Sequence, residues 1–469
     1  MYILKLGLNS YKKRLKRYVF IAVGVLIGLS LFFISAGGKK ETGSSGETEK
    51  MKPVELTIWW WGEQEAPGIQ DWMHESFELF QKDYPYVSFE EVLQTTDGLV
   101  PAIQTAIETK SGADILTPWP GFDVVRNYES FYPLKDYVSQ EVLDNALVTD
   151  LVNYNGDVYG LPLYNIVNIF VYNKEMFKNA GIANWDNYQP DSWDDIMDAC
   201  KKLKAIGITP FTIGFKDLFA ADWLYGGFGL QWATEQDVLA VLEGRMKYTE
   251  PKMYEWMMPF YDLQVNGYVN DDLLSVDLYQ GGIEHFINEK AAMSFIPDTL
   301  IAGNADQLGL DKMGAFMLPV MGDSIYKNYV NLSSAGNWVI GRWTPHPEEA
   351  GKFIELVRSP ERLTAFYEQT GQFPADKRFA PAQFKDSITE MRWNIFRKGK
   401  KFGPYLSVFW PWEVQSLGTY VAPIKVLSGK STPLEAAELV QEQVDKYLEM
   451  NPDVSVWKNW IKPLSAYYK

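Results

Sequence analysis

The segment from Val54 to Leu116 alternates between two hydrophobic periods. "VELTIWW", which begins at Val54, has an apolar residue at every second position, as in a β-strand. Residues 69–85 repeat their apolar positions at helical spacing and end at a proline. A second strand pattern, a second helix pattern and the short apolar stretch 113–116 follow. This βαβαβ order predicts a mostly parallel sheet with helices on its faces.

The rest of the chain continues to mix the two periods without an internal repeat. Extended segments reach Tyr172, and residues 217–300 are mostly of helical spacing. Ser192 and Asp195 predict a capping box at the start of one helix, and Thr432 and Glu435 predict another. "MGAFMLP" and "GNWVIG" predict further strands. We therefore expect an α/β fold throughout.

The first 37 residues have the organisation of an export signal. A basic segment, 12–17, is followed by an uncharged apolar run, 18–36, and by Ser35-Ala36-Gly37, which a signal peptidase could cut. The run is also long enough to span a bilayer if it is retained. We predict a signal peptide or membrane anchor over 1–37 and a flexible tether over 38–52. The remaining chain is then exported, to the periplasm or the outer face of the cytoplasmic membrane.

Composition narrows the function classes. The chain has 469 residues, enough for two domains and a leader, and a net charge of −16, which disfavours nucleic acid as a partner. Its single cysteine, Cys200, lies on the apolar side of a helix pattern and reads as a buried thiol. Three histidines without ligand spacing make zinc unlikely. No cofactor motif is present, so we expect neither cofactor nor metal, and no catalytic residue is assigned.

The aromatic content is high, with 17 Trp and 27 Tyr. Trp60 and Trp61 come at the carboxyl end of the first predicted strand, and Trp119 follows the third. Ligands of open α/β sheets bind beyond the carboxyl ends of the strands. One of Trp59 and Trp60 is expected in the core. Trp61 and Trp119 are the better candidates for a cleft.

The order of these segments resembles family 1 extracellular solute-binding proteins, the sugar-binding components of bacterial ABC importers. "YNGDVYGLPLYNIVNIFVYNKEMFKNAGI" is similar to the stretch in which that family's chain crosses between lobes. "QPDSWDDIMDACKKLKAIGITP", "FINEKAAM", "PHPEEAGKFIELVRSPE" and "TGQFPADK" are similar to later segments. The resemblance extends from about residue 54 to about residue 448.

The resemblance implies two lobes, each a mostly parallel sheet flanked by helices, joined by a hinge. Carrying the family pattern over places the crossings near 164, 313 and 345. Lobe one would be 53–164 plus 314–345, and lobe two 165–313 plus 346–469. A ligand between the lobes would close them, and permease subunits would sense the closure.

The resemblance also implies the ligand contacts. They are Trp60, Trp61, Glu63, Trp119, Asp123, Tyr164, Asn165, Asp298, Asn337, Trp338, Gln372, Trp410 and Glu413. The family often has a cleft Trp after its Ala-Met, but this chain has "SFIPDTL", so Asp298 would replace a stacking contact with hydrogen bonds.

These residue types suit a sugar. An indole covers the C–H face of a pyranose, and carboxylates and amides accept or donate hydrogen bonds at its hydroxyl rim. In "FWPWEVQS", Trp412 could belong either to such a site or to a hydrophobic cluster. Because few Lys or Arg lie near these loops, a neutral sugar is favoured over an acidic one.

Three functions stay open. The first is a binding protein that delivers an oligosaccharide to an ABC permease, with membrane contact only through its N-terminal segment and as a monomer. The second is a secreted carbohydrate-active enzyme with an Asp/Glu pair. The third is a surface carbohydrate-binding or sensing protein. The order of segments favours the first over the second.

Overall fold

A computed structural model describes residues 52–63, 66–218, 220–397 and 401–467. The predicted export signal and the predicted tether up to Met51 lie outside these residues. Within them, no helix is both long enough and apolar enough to cross a membrane.

The first sheet has five strands in the order β2-β1-β3-β13-β6. They are β1 Val54–Trp60, β2 Val87–Leu93, β3 Ile115–Leu116, β6 Leu161–Pro162 and β13 Asn337–Ile340. As the periodicity predicts, β1 is parallel to both β2 and β3. The last two strands are antiparallel to their neighbours, so the sheet is mixed. The predicted helices between its strands are Ile69–Asp83 and Thr96–Thr109.

The second sheet has four strands in the order β11-β8-β10-β9. They are β8 Asn168–Asn173, β9 Thr209–Thr212, β10 Ala291–Pro297 and β11 Met313–Phe316. In this sheet β9 and β10 are parallel, whereas the other two pairs of neighbouring strands are antiparallel. Helix Ala220–Phe228 packs on β8 and β10. The segment 406–409 packs on that helix, as does helix Val421–Leu427, which helix Pro433–Met450 covers.

A three-stranded sheet connects the two lobes that these sheets define. It consists of β7 Asn165–Ile166, β12 Val330–Ser334 and β14 Phe402–Pro404. The chain passes from β6 through β7 to β8, and returns from β11 through β12 to β13. The segment around Phe373 forms a third passage beside β7, where the backbone N–H of Asn165 donates to the carbonyl of Phe373 at 3.3 Å. We call these three passages the hinge.

The crossing predicted near 164 falls in the passage from β6 to β8, whereas the other two passages lie away from the positions predicted near 313 and 345. Residues 314–316 were assigned to lobe one, yet they pair with β8 in the second sheet. Helices Pro347–Val357 and Pro360–Thr370 were assigned to lobe two, yet they pack against helix Ile69–Asp83 of the first lobe. The reason is an aromatic cluster, in which Phe353 contacts Phe77 and Phe89 at ring-centroid distances of 5.6 and 4.9 Å.

Helix Ser455–Tyr467 packs against both lobes. In the first lobe, the ring of Trp457 stacks on Phe122 at 3.7 Å, and the Trp460 indole N–H donates to the carbonyl of Asp150 at 3.1 Å. In the second lobe, the Trp457 indole N–H donates to the carbonyl of Phe409 at 2.9 Å. We call this element the bridging helix.

Local predictions about helix ends hold. Both predicted capping boxes are present, at Ser192 with Asp195 and at Thr432 with Glu435. Cys200 is buried, as expected, and burial raises its pKa. The remaining α-helices are Phe122–Arg126, Gln140–Asn145, Lys174–Asn179, Trp193–Ala205, Glu235–Leu242, Pro251–Tyr254, Met258–Val265, Glu284–Ile287, Ile301–Leu308, Ser387–Arg397 and Trp412–Val414. The remaining strands are β4 Asn153–Tyr154 and β5 Asp157–Val158, which form a hairpin.

Candidate functional site

A cavity lies between the two lobes. The first lobe contributes the loop after β3 and one side of helix Thr96–Thr109. The second lobe contributes the first turn of helix Ala220–Phe228 and parts of 405–420, and the hinge contributes the floor. Seven aromatic side chains are among its lining: Trp119, Phe122, Phe131, Trp223, Tyr405, Trp412 and Tyr420. We call this cavity the cleft.

Trp59, Trp60 and Trp61, at the end of the first strand pattern, do not line the cleft. Trp60 is fully buried in the core, whereas Trp61 lies under Trp119, with their ring centroids 4.6 Å apart. Trp119 is the indole that lines the cleft. Gly336 makes room for this arrangement, since a Cβ there would lie 2.4 Å from the Trp61 ring. Trp61 therefore supports the cleft wall.

Asp123 also lines the cleft, and it is tied to Arg126. One guanidinium nitrogen lies 2.9 Å from Asp123 Oδ1, and another lies 3.1 Å from Glu413 Oε1 in the second lobe. The pKa of Asp123 is raised to about 6. Burial is the main cause and Glu413 adds to it, whereas Arg126 opposes them. Arg126 therefore joins a cleft carboxylate to the opposite lobe.

Asp222 faces the cleft from the second lobe, although the sequence analysis did not assign it. Its Oδ1 lies 3.1 Å from the hydroxyl of Tyr420, while the Tyr405 hydroxyl donates to its backbone carbonyl. Burial raises the pKa of the Asp222 carboxyl to about 6, and the hydrogen bonds limit this rise. In the part of the chain that the structure describes, Asp222 forms no ion pair.

A glycine on the same helix positions Tyr405. A Cβ at Gly226 would lie 1.8 Å from the Cζ of Tyr405, so only glycine lets this ring lie against the helix. The Tyr405 hydroxyl also accepts a hydrogen bond from Nδ2 of Asn168 at 2.9 Å. The ring is thus held on two sides at the cleft wall.

The floor of the cleft includes Ser333 and Ser334 of β12. Ser334 is 3% exposed, and its Oγ has no hydrogen-bond partner among the described residues. Buried hydroxyls normally have a partner. A ligand hydroxyl or a bound water is the partner that this position calls for.

Two predicted contacts, Asp298 and Gln372, lie instead in a buried network at the hinge. The Asp298 carboxylate accepts from the Val167 backbone N–H at 3.0 Å and pairs with Arg392 at 3.2 Å. Gln372 accepts from Arg392 at 2.7 Å and donates to the carbonyl of Thr299 at 2.8 Å. The correction follows from Arg392, whose guanidinium engages both side chains. We call this set the hinge network.

Three predicted tryptophan contacts are also placed in the core rather than at the cleft surface. Trp60, Trp338 and Trp410 are each at most 1% exposed. The indole N–H of Trp60 donates to Glu91 at 2.8 Å, and that of Trp410 donates to the Tyr225 hydroxyl at 3.1 Å. The rings of all three have almost no exposed surface, so this arrangement offers them no ligand contact.

The other predicted contacts surround the cleft without lining it. Glu63 accepts from the backbone N–H of Gly68 at 3.0 Å, at the start of helix Ile69–Asp83. Tyr164 and Asn165 are buried at the hinge, and Asn165 donates to the carbonyl of Pro374 at 3.2 Å. Asn337 donates from its backbone to Pro118 at 2.9 Å, behind the loop that carries Trp119. Of the predicted set, Trp119 and Asp123 line the cleft.

The sequence reasoning missed Asp222, Trp223, Tyr405 and Tyr420. The segment "AADWLYGGFG" carried a signal, because it places an acid and an indole in the first turn of an apolar helix that continues with two glycines. Trp412, for which two interpretations stayed open, lines the cleft, with its ring centroid 6.0 Å from that of Tyr420. Among the described residues no group of His, Cys, Asp and Glu is arranged to hold a metal ion.

Two α/β lobes that enclose an aromatic, acidic cleft beside a three-passage hinge define a binding protein of the two-lobe type. The model of the bacterial extracellular solute-binding protein family matches residues 75–391, more than half of the chain. The protein belongs to this family, and the predicted family resemblance is confirmed.

Individual relatives are distant. The chain is 25% identical over 381 residues to an uncharacterized ABC transporter extracellular-binding protein of Pyrococcus horikoshii. The aligned region covers 75% of this chain and 78% of the relative. The chain is 22% identical over 313 residues to the sn-glycerol-3-phosphate-binding periplasmic protein UgpB of Escherichia coli K12, which covers 62% of this chain and 68% of UgpB.

Solved structures share the fold. A chitin oligosaccharide binding protein matches with a TM-score of 0.75 at 20% identity, over 84% of this chain and 98% of that one. The solute-binding protein RafE in complex with raffinose matches with a TM-score of 0.67 at 19% identity, over 83% and 100%. The predicted two-lobe α/β fold is confirmed, but the sheets of the lobes are mixed rather than mostly parallel, because β6, β8, β11 and β13 pair antiparallel with neighbouring strands. Since the family is extracellular, the protein is an exported one, and its relatives are binding proteins rather than enzymes.

Proposed function

We propose that this protein captures a sugar, a neutral or amine-bearing oligosaccharide rather than an anionic one, between its lobes and delivers it unchanged to an ABC-type permease. The observation that carries the proposal is the lining of the cleft. Indole rings line the cleft from both lobes, Trp119 from the first and Trp223 from the second. Each lobe also contributes one carboxylate to the lining, Asp123 from the first and Asp222 from the second.

The chemistry of this lining suits a pyranose. Flat indole and phenol rings cover the C–H faces of sugar rings and bury apolar area with few rotatable bonds to immobilise. The carboxylates of Asp123 and Asp222 accept hydrogen bonds from hydroxyl groups, and Ser334 at the floor has hydrogen-bonding capacity to spare. A cleft with rings on both sides holds such a ligand only when the lobes are together, which supports binding by hinge closure.

The likeness to UgpB raises sn-glycerol 3-phosphate as a different ligand. Phosphate groups are held by Arg, Lys or backbone N–H groups at helix N-termini. The cleft lining contains no Arg, Lys or His, and it contains two carboxylates. An anionic ligand is therefore disfavoured.

Thermal unfolding of the purified protein tests the proposal. Cellobiose, N,N′-diacetylchitobiose, xylobiose, raffinose and sn-glycerol 3-phosphate are each added at about one hundred times a micromolar dissociation constant, where binding contributes about 2.7 kcal/mol. We expect at least one sugar to raise the melting temperature and sn-glycerol 3-phosphate to leave it unchanged. The bound sugar is then recovered, and we expect it intact.

Matched tryptophan variants localise the effect. Trp119→Ala should abolish the sugar-dependent shift. Trp185→Ala, which removes an indole that contacts Lys178 and does not line the cleft, should preserve it. A shift with sn-glycerol 3-phosphate alone would reject the sugar. Cleaved sugar would instead favour an enzyme with an Asp123/Asp222 carboxylate pair.

A further inference from the structure

The charges at the cleft do not balance. Asp123 and Asp222 line it, and the nearest cation, Arg126, is shared between Asp123 and Glu413. When all four of these groups are ionised, the three carboxylates and the one guanidinium together carry a net charge of two negative units. Because a charge withdrawn from water is stabilised only by a partner, the cleft favours a positively charged ligand.

Of the two cleft carboxylates, Asp123 has a cation as partner and Asp222 has none among the described residues. The hydroxyl of Tyr420 has one hydrogen, and it lies 2.8 Å from Oε1 of Gln415 as well as 3.1 Å from Asp222 Oδ1. It can donate to only one of them at a time. The Tyr405 hydroxyl is within hydrogen-bonding distance of the backbone carbonyl of Asp222, at 3.1 Å. The hydroxyls of Ser407, Tyr420 and Tyr405 lower the pKa of the Asp222 carboxyl against the effect of burial, but none of them carries a positive charge. The carboxylate thus lines the cleft without a cation.

The aromatic lining adds a second attraction for a cation. Trp223 follows Asp222 directly, Trp119 stands in the opposite lobe, and both line the cleft with Trp412. The faces of indole rings attract ammonium groups, most strongly when water is excluded. The unpartnered Oγ of Ser334 at the floor independently indicates that a polar ligand group belongs there.

We propose that the cleft selects a sugar that carries a protonated amine over its neutral counterpart, with Asp222 as the specificity-determining residue. This proposal rests on the proposed function and goes beyond it by assigning a charge to the ligand. The ammonium pairs with the Asp222 carboxylate and lies near the indole faces, while the remaining hydroxyls use Asp123 and the floor.

Three disaccharides with one β-1,4 backbone test it, since they differ only at carbon 2. They are the glucosamine disaccharide, N,N′-diacetylchitobiose and cellobiose, which carry an ammonium, an acetamide and a hydroxyl. Isothermal titration of the full-length protein at pH 7 should give a dissociation constant for the glucosamine disaccharide at least about tenfold below the other two.

Asp222→Asn keeps the shape of the side chain and removes its charge. In this variant we expect the tenfold preference to fall to about unity, with binding of cellobiose or N,N′-diacetylchitobiose retained. Asp198→Asn, which removes a carboxylate paired with Lys202 on the surface, should leave the preference unchanged. A thermal unfolding curve of each variant verifies that it is folded.

The outcomes separate the two proposals. Equal or weaker binding of the glucosamine disaccharide to the natural protein overturns the charge selection and leaves sugar binding standing. A preference that survives Asp222→Asn overturns the role of Asp222. Absence of heat with all three disaccharides overturns the charge selection and, for this class of sugar, the proposed function with it.

Discussion

Two aspartates of this protein, Asp298 and Asp222, have opposite surroundings. Asp298, in the hinge network, has a backbone N–H at 3.0 Å and the guanidinium of Arg392 at 3.2 Å. Asp222, in the cleft, has hydroxyl donors from Ser407, Tyr420 and Tyr405 but no ion pair among the described residues. Burial raises the pKa of both carboxyls, but Arg392 opposes this effect at Asp298, and no cation does so at Asp222.

The difference separates structure from binding. A carboxylate that the protein surrounds with donors and a cation has nothing left to offer a ligand, and its loss harms the fold. A carboxylate that burial destabilises and that has hydroxyl donors but no cation is retained at the expense of stability. Such positions are characteristic of functional sites. Four predictions test this contrast, from the largest expected effect to the smallest.

Arg392→Leu should destabilise the protein by about 3–5 kcal/mol, because it leaves Asp298 buried without its cation and Gln372 without a donor. Chemical denaturation at pH 7 measures the loss. Arg245→Leu breaks an exposed ion pair with Glu243 and should cost less than about 1 kcal/mol. Similar losses in the two variants would contradict the distinction between the regions.

Asp222→Asn should have the opposite sign, and stabilise the ligand-free protein by about 2 kcal/mol at pH 7. The substitution removes a carboxylate whose ionised form burial disfavours, as its pKa of about 6 shows. Chemical denaturation again gives the value, with Asp198→Asn as the surface control. A loss of stability would show that Asp222 holds the fold together as Asp298 does.

The pH dependence of that gain follows from linkage. The folded-state pKa of Asp222, about 6, is above the ordinary value of 3.8, so the folded protein binds the extra proton between these pH values. The contribution is fully present below pH 3.8 and is lost as the pH rises through 6. The advantage of Asp222→Asn should therefore be near zero at pH 4 and reach its plateau above pH 7. A pH-independent advantage would disprove this origin.

Glu413→Gln should have the smallest effect on stability, about 0.2–1 kcal/mol, because Glu413 is 49% exposed and its pair with Arg126 is screened by water. Since the pair joins the lobes, its removal should also speed sugar release in stopped-flow experiments. Glu442→Gln, which breaks the pair with Lys446 within one helix, is the matched control and should leave the release rate unchanged.

Sequence patterns predicted the elements better than the site. The alternation in "VELTIWW" predicted β1 with its bounds, and the two capping boxes are local signals that the structure confirms. Trp119 could be assigned to the cleft because it follows a parallel strand at its carboxyl end, whereas Asp123 was assigned through the family resemblance.

The remaining site depends on contacts between distant segments. Asp222 meets Tyr420 across 198 residues, and Asp298 meets Arg392 across 94. No local period encodes either pairing, so the same residue type could not be assigned to the cleft or to the hinge in advance. The lobe limits moved for the same reason, because Phe353 packs with aromatic residues of the first lobe.

The bridging helix has a consequence for the time course of folding. Its contact from Trp460 to Asp150 spans 310 residues, and its Trp457 stacks on Phe122, which lines the cleft. Contacts of such long sequence separation form slowly, because the entropy of closing the loop is lost before the contact is gained. One wall of the cleft therefore gains its support only late in folding. During refolding, recovery of sugar binding should lag behind recovery of helical content, so binding reports completion of the native state.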